Sequence, residues 1–239
     1  MGFSVVVPAL NIPAKVGIDM QATRRHAEQA RDTWVDWFLV NGSTTRGDLL
    51  SSAERAAVLD LWVDVIGPDK LLACAWEPED LTAAALRHVT PMAVMRGIRT
   101  DTEALAFLSG LPSGSTVYSH PMFGLPFSPD IARGAAALGC LPAGGKLAKV
   151  KIPQIGEIRQ VAPGFALWDG SARHIRESLT AGAAGFVGTP LVSLLGKGLP
   201  PKEVGKLQFA LHQEQSRLDE LPGRPERSAY LLAQVKKSL

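Results

Sequence analysis

The feature that most constrains this chain is an alternation. Short apolar runs of strand length are separated repeatedly by segments whose apolar residues recur at helical spacing. The runs fall at residues 3–9, 35–40, 71–76, 89–95, 116–119, 140–145, 165–168 and 184–187. Between them, Met20, Ala27 and Ala30 are spaced to put one face of a helix on a core, and Ala57, Val58, Leu61 and Val65 do the same in the next unit. Ser51 or Ser52 caps that second helix, with Glu54 at its positive end, and Pro129 opens the fifth. The fourth unit is compact, with its helix at 102–109.

Eight strands with seven intervening helices in about 190 residues leave roughly 24 residues per unit, enough for a strand, two tight loops and a short helix. That repeat predicts an α/β fold of the (β/α)8 TIM-barrel kind over residues 1–190. A short C-terminal helical extension, 191–239, is expected to pack on the barrel. A doubly wound open sheet would carry a glycine-rich turn after its first strand, and Pro8-Ala9-Leu10-Asn11 is not one.

With 239 residues, 46% hydrophobic and 20% charged, and a net charge of +2, the chain can bury a sizeable core and has no basic excess of the kind that serves nucleic acid. Lys236-Lys237, the nearest thing to a basic cluster, reads as a solvated helix end. The run 3–10 is too short to span a bilayer and no basic segment precedes it, so no membrane partner is expected. Cys74 and Cys140 fall in predicted strands as free core thiols, which suits a reduced, cytoplasmic protein.

Barrel chemistry sits where strands end at the C-terminal face. Four such ends carry polar residues: Gly42-Ser43-Thr44-Thr45, Tyr118-Ser119-His120-Pro121, Gly145-Lys146 and Asp169-Gly170-Ser171. A lysine at the mouth loses hydration, which disfavours its charged form and frees the amine to attack a ketone. The iminium that results is an electron sink, so a neighbouring carbon can lose a proton or break a carbon–carbon bond. Tyr118 could shuttle that proton if a hydroxyl such as Thr44 activates it. Ser43 and Thr44, in a tight turn with Gly42, could hold the carboxylate that a 2-oxo acid carries beside its ketone. The same residues have plainer uses: Lys149 and Lys151 follow Lys146 closely as solvated charges would, and Ser and Thr commonly form turns.

Together these segments resemble the dihydrodipicolinate synthase and N-acetylneuraminate lyase family of class I aldolases. Gly42-Ser43-Thr44-Thr45-Arg46 followed by Leu50-Ser51-Ser52-Ala53-Glu54-Arg55 is similar to that family's Gly-Thr-Thr-Gly-Glu turn and Leu-Ser-x-x-Glu-Arg helix start. Val117-Tyr118-Ser119-His120-Pro121 is similar to its Leu-Tyr-Asn-x-Pro, and Gly145-Lys146 to its Gly-x-Lys, with the family's 28-residue separation between Tyr118 and Lys146. Asp169-Gly170 and Gly182-Ala183-Ala184-Gly185 resemble later positions.

The resemblance implies that Lys146 forms the Schiff base, Tyr118 relays protons, and Ser43 and Thr44, with Gly170 nearby, hold a pyruvate-like acid. Nothing in the sequence calls for a metal or an organic cofactor. The resemblance implies a small-molecule 2-oxo acid, for which an aldehyde is one possible acceptor; the family's dimers or tetramers are built on the fourth unit and the tail, which differ here, so a homodimer or homotetramer is left open. Thr45-Arg46 replaces the family's Gly-Glu, and Phe123 stands where dihydrodipicolinate synthases place an arginine. Met95-Arg96-Gly97-Ile98 lacks the tyrosine that completes the family's relay. Arg46 or Arg96 could supply a relocated anion site. The expected activity is thus a Schiff-base lyase or aldolase other than dihydrodipicolinate synthase. The alternative is a catalytically degenerate barrel that binds a metabolite or a protein.

Overall fold

The structure is a computed structural model that describes residues 2–239. Eight parallel strands close into a barrel in sequence order. They are β1 Ser4–Pro8, β2 Trp37–Val40, β3 Leu71–Ala75, β4 Thr90–Val94, β5 Thr116–Ser119, β6 Gly144–Leu147, β7 Ala166–Asp169 and β8 Gly185–Val187. Seven helices connect them: α1 Met20–Arg31, α2 Ser52–Ile66, α3 Pro78–Leu86, α4 Asp101–Ser109, α5 Pro129–Ala137, α6 Ile152–Val161 and α7 Ile175–Thr180. Two more follow the barrel, α8 Val204–Asp219 and α9 Arg224–Lys236. No helix among the described residues is long and apolar enough to cross a membrane.

Strand alternation separates two cores. Val6, Leu72, Met92, Tyr118 and Trp168 pack together inside the barrel, whereas Val117 and Leu147, one residue along their strands, pack outward with Ile131 and Ile155. The outer layer on the other side runs without a break from Val5 and Ala27 into Leu191, Leu211 and Leu231, so the tail helices share the core of the barrel's flank. Gly145 faces outward because a Cβ there would come within 2.8 Å of Val117 Cγ2 and 2.9 Å of the Phe165 ring.

The turn after β2 is held by a buried polar scaffold. Ser51 and Glu54 form a reciprocal capping box at the start of α2, an arrangement worth about 1 kcal/mol at its Ser. Arg55 Nε donates to Asp80 at 2.8 Å, with both side chains buried, and Arg55 also donates to the Leu50 carbonyl and Ser52 hydroxyl. Asp80 in turn accepts from Trp76 N–H at 2.8 Å. Gly47 closes the turn so tightly that a Cβ would lie 2.0 Å from the Asn41 carbonyl oxygen.

Several sequence expectations shift. The sixth strand runs over Gly144–Leu147 rather than 140–145, which puts Lys146 within it instead of at its far end. Residues 140–143 are consumed in leaving α5, so Cys140 lies in a half-buried loop and only Cys74 is a core thiol. Met20, the first residue after the Asp19 cap, is exposed, because the face of α1 that meets the core runs through Thr23, His26, Ala27 and Ala30. In α2 the buried face is Val58, Leu59, Leu61 and Trp62, leaving Ala57 exposed.

Candidate active site

Lys146 and Tyr118 are partners in the β5–β6 register, so alternation sends both side chains into the barrel. Tyr118 is buried and Lys146 is 4% exposed, with Nζ 4.2 Å from the centre of the Tyr118 ring. Among the described residues Lys146 has no ion-pair partner within 4.0 Å. Phe123 stacks edge-on against Tyr118 at 5.8 Å and against Trp76 at 5.2 Å, forming an apolar wall behind the phenol. Cys74 lies in the same inner core; burial pushes its thiol up to about 12, against the pull of Lys146, so it stays an inert thiol.

The hydroxyl that hydrogen-bonds the Tyr118 phenol is that of Ser43, with Oγ and Oη 2.8 Å apart. Thr44, the expected partner, lines the same cavity without bonding the phenol, and its carbonyl accepts from Ser228 Oγ at 2.7 Å. The short 3-10 turn at Ser43–Thr45 explains the exchange: consecutive side chains in such a turn point about 120° apart, so only one of the two faces β5. Thr45 N–H donates to the Gly42 carbonyl and Arg46 N–H to that of Ser43, whereas the N–H groups of Ser43 and Thr44 have no acceptor among the described residues.

These residues sit in a cavity of about 410 Å³ at the C-terminal mouth of the barrel, lined also by His120, Gly170, Ser171 and residues of the tail. Gly170 packs closely there: a Cβ would meet the backbone of Leu147 and Ala148 at about 3.0 Å, tighter than ordinary contact. Asp169 is buried beside it and accepts from Ser171 N–H and Oγ and from Ser178 Oγ, which fixes the β7 loop. His120 is half-buried and its Nδ1 accepts from Met122 N–H at 2.9 Å. Burial first, then the nearby Lys146, Lys149 and Arg224 charges, lowers its pKa to about 4, so the imidazole is neutral at physiological pH.

Arg46 and Arg96 do not reach the cavity. Arg46 takes a left-handed conformation at the end of the turn and is exposed, and Arg96 is exposed and lies 3.9 Å from Glu77. The cations that do line the mouth are Lys149, Arg173, Arg224 and Arg227. Arg173 follows a strand end by four residues and was open to the same positional reasoning as Gly170. Arg224 and Arg227 arrive on α9, whose docking no local pattern reveals. Among the described residues no group of three or more His, Cys, Asp or Glu side chains is placed to hold a metal ion.

No family model matches the chain, and no curated protein matches it. Solved structures do. A dihydrodipicolinate synthase family protein from Coccidioides immitis superposes with a TM-score of 0.79 at 18% identity, over 99% of this chain and 84% of that one. The 2-keto 3-deoxygluconate aldolase from Picrophilus torridus gives 0.76 at 17% identity, over 98% and 93%. The chain has their fold. Dihydrodipicolinate synthase from Aquifex aeolicus is similar too, at 0.72 and 18%, over 98% of this chain and 82% of that one. At these identities the likeness concerns the barrel and its appended helices, and the chemistry has to be argued from the side chains.

Proposed function

We propose that this chain is a lyase or aldolase that acts on pyruvate or a related 2-oxo acid through a Schiff base on Lys146. One observation carries the reading: an amine with no carboxylate partner, buried on the inner face of the barrel, sits beside a phenol that is itself hydrogen-bonded to Ser43. The fold shared with an aldolase and with dihydrodipicolinate synthases supports it.

In the proposed reaction the neutral amine of Lys146 adds to the ketone carbon, and the carbinolamine loses water to give an iminium. The iminium withdraws electrons from the adjacent carbon, which gives up a proton and becomes an enamine. The enamine carbon then bonds to the carbonyl carbon of an aldehyde, whose oxygen takes a proton. Hydrolysis of the new iminium frees the product and the lysine, and the reverse sequence cleaves the same bond. The role of moving these protons is proposed for Tyr118, a reading supported by its place next to Lys146 and its contact with Ser43. The N–H groups of Ser43 and Thr44 are the donors proposed for the carboxylate of the acid.

Dihydrodipicolinate synthesis itself is not the reaction proposed. Phe123 packs as an apolar wall where an arginine would be needed for that enzyme's second substrate. The absence of a tyrosine after β4, where Met95 is buried and Arg96 exposed, favours a second reading, a barrel that binds a metabolite without turning it over. Borohydride reduction in the presence of pyruvate decides between them. A covalent adduct mapped by mass spectrometry to Lys146, and lost in Lys146→Ala, is expected of the enzyme. No adduct with pyruvate or a broad panel of 2-oxo acids leaves the binding barrel as the better account.

A further inference from the structure

The lining of the mouth is one-sided in charge. Besides Lys146, the proposed nucleophile, it contains Lys149, Arg173, Arg224 and Arg227 and no Asp or Glu, in a chain whose 25 basic and 23 acidic residues nearly balance. Arg173 is neutralised from behind by Asp219, through two contacts of 2.8 Å, and Arg224 by Asp48 at 2.9 Å. Lys146, Lys149 and Arg227 have no ion-pair partner within 4.0 Å among the described residues. Arg227 Nε is buried without a hydrogen-bond partner. The rest of the guanidinium is partly exposed, with Nη2 donating to the Leu221 carbonyl at 3.4 Å, so the unmet Nε–H is the donor that a ligand in the cavity could satisfy.

We propose that this cationic wall is a subsite for a second anionic group of the substrate, a phosphate monoester or a carboxylate, held by Lys149 and Arg227 with Arg224, which its contact to Asp48 fixes beside them. The inference rests on the Schiff-base reading only for the other half of that substrate. The carboxylate beside the ketone is assigned to the N–H groups of the Ser43-Thr44 turn, which leaves the side-chain cations of the same lining for a second anionic group. The cavity falls within the range of pockets that take ligands much larger than a three-carbon acid.

The wall is also fixed in place. Ser228 Oγ bonds the Thr44 carbonyl at 2.7 Å, Arg224 reaches Asp48, and Leu231 is buried, so α9 is fastened to the same turn that carries Ser43. Guanidinium groups presented on a fastened helix suit multi-oxygen anions, which accept two hydrogen bonds from one arginine.

Two measurements test this. Calorimetric titration with inorganic phosphate and with succinate should show binding that weakens at least about tenfold in Arg224→Gln/Arg227→Gln and also in Lys149→Gln, an exposed position whose replacement leaves packing intact. In turnover with pyruvate, glyceraldehyde 3-phosphate or succinic semialdehyde should exceed neutral glyceraldehyde in kcat/KM by at least about tenfold. That ratio should fall toward one in the same variants, and the better of the two charged aldehydes tells phosphate from carboxylate. Equal use of charged and neutral aldehydes, or a ratio unchanged by the variants, overturns the subsite. If pyruvate forms no adduct, the Lys146 reading fails on its own. The titrations then decide the subsite, and anion affinity equal in wild type and variants refutes it.

Discussion

His26 gives the chain a calculable sensitivity to acid. It is fully buried on α1, edge-on to Trp62 at 5.7 Å, and neither ring nitrogen has a hydrogen-bond partner among the described residues. Burial lowers its pKa from 6.5 to about 4. The fold therefore binds the proton less well than the unfolded chain does. This part of the stability is present above about pH 6.5 and is lost as the pH falls toward 4. The full cost of charging the ring is about 3 kcal/mol, of which between about 2 and 3 kcal/mol is reached by about pH 4.5.

The perturbation is His26→Leu, which fills similar volume and removes two buried, unpaired nitrogens. Urea unfolding followed by far-ultraviolet circular dichroism at about pH 7.5 and about pH 4.5 gives the four stabilities needed. Carboxyls held low by their partners, such as Asp60 beside Arg87 and Asp219 beside Arg173, also lose stability in acid, but equally in both proteins, so the difference isolates the histidine. Over that interval the wild type should lose at least about 2 kcal/mol more than His26→Leu loses. At the higher pH His26→Leu should be no less stable, since an unpaired buried polar group costs about 1–3 kcal/mol. Equal losses in the two proteins would show that the imidazole has a proton acceptor or water in the fold, and the argument from burial would be wrong.

Two further substitutions separate roles that the sequence could not. Ser43→Ala should lower kcat for a 2-oxo acid by about 10- to 100-fold with a smaller change in KM, because it removes the hydrogen-bond partner of the Tyr118 phenol. Thr44→Val should do less, since α9 uses the Thr44 carbonyl, and steady-state kinetics giving the opposite order would return the relay to Thr44. Arg55→Ala leaves Asp80 buried and unpaired and should cost about 3–5 kcal/mol in urea unfolding, much of it recovered in Arg55→Ala/Asp80→Ala. A single-variant loss under about 1 kcal/mol would mean that the pair is solvated.

The barrel was legible because its signal is local and repeated. Each unit announces its own strand by an apolar run and its own helix by spacing, and the Thr116–Ser119 strand falls where the pattern puts it. The sixth strand was displaced because its run, Cys140-Leu141-Pro142-Ala143, is as apolar as a strand but belongs to the loop leaving α5. Its actual strand is Gly-Gly-Lys-Leu, in which no hydrophobic alternation exists to be read. The glycines are there because the barrel is crowded at that point, a Cβ on Gly144 lying 2.5 Å from the Ala166 carbonyl oxygen.

That crowding bears on the site as well. With two glycines before it, Lys146 is the first side chain of β6 to enter the barrel, and its alignment with Tyr118 follows from strand register once β5 is known. Residues whose direction is set by strand alternation could therefore be assigned from the sequence, whereas those set by turns and by the tail could not. Ser43 and Thr44 differ by a rotation of one short turn, and Arg46 and Arg96 looked placed at the mouth only because they follow strand ends in sequence. Arg224 and Arg227 lie more than 75 residues after Lys146 and reach the same cavity only through the docking of α9. The half of the site that would hold the reacting ketone is written in the barrel repeat, while the half that would choose among substrates is written in the tail. If the subsite is as proposed, a change of specificity needs no change in any strand: replacing the α9 cations should alter what the mouth accepts and leave the Lys146–Tyr118 register as it is.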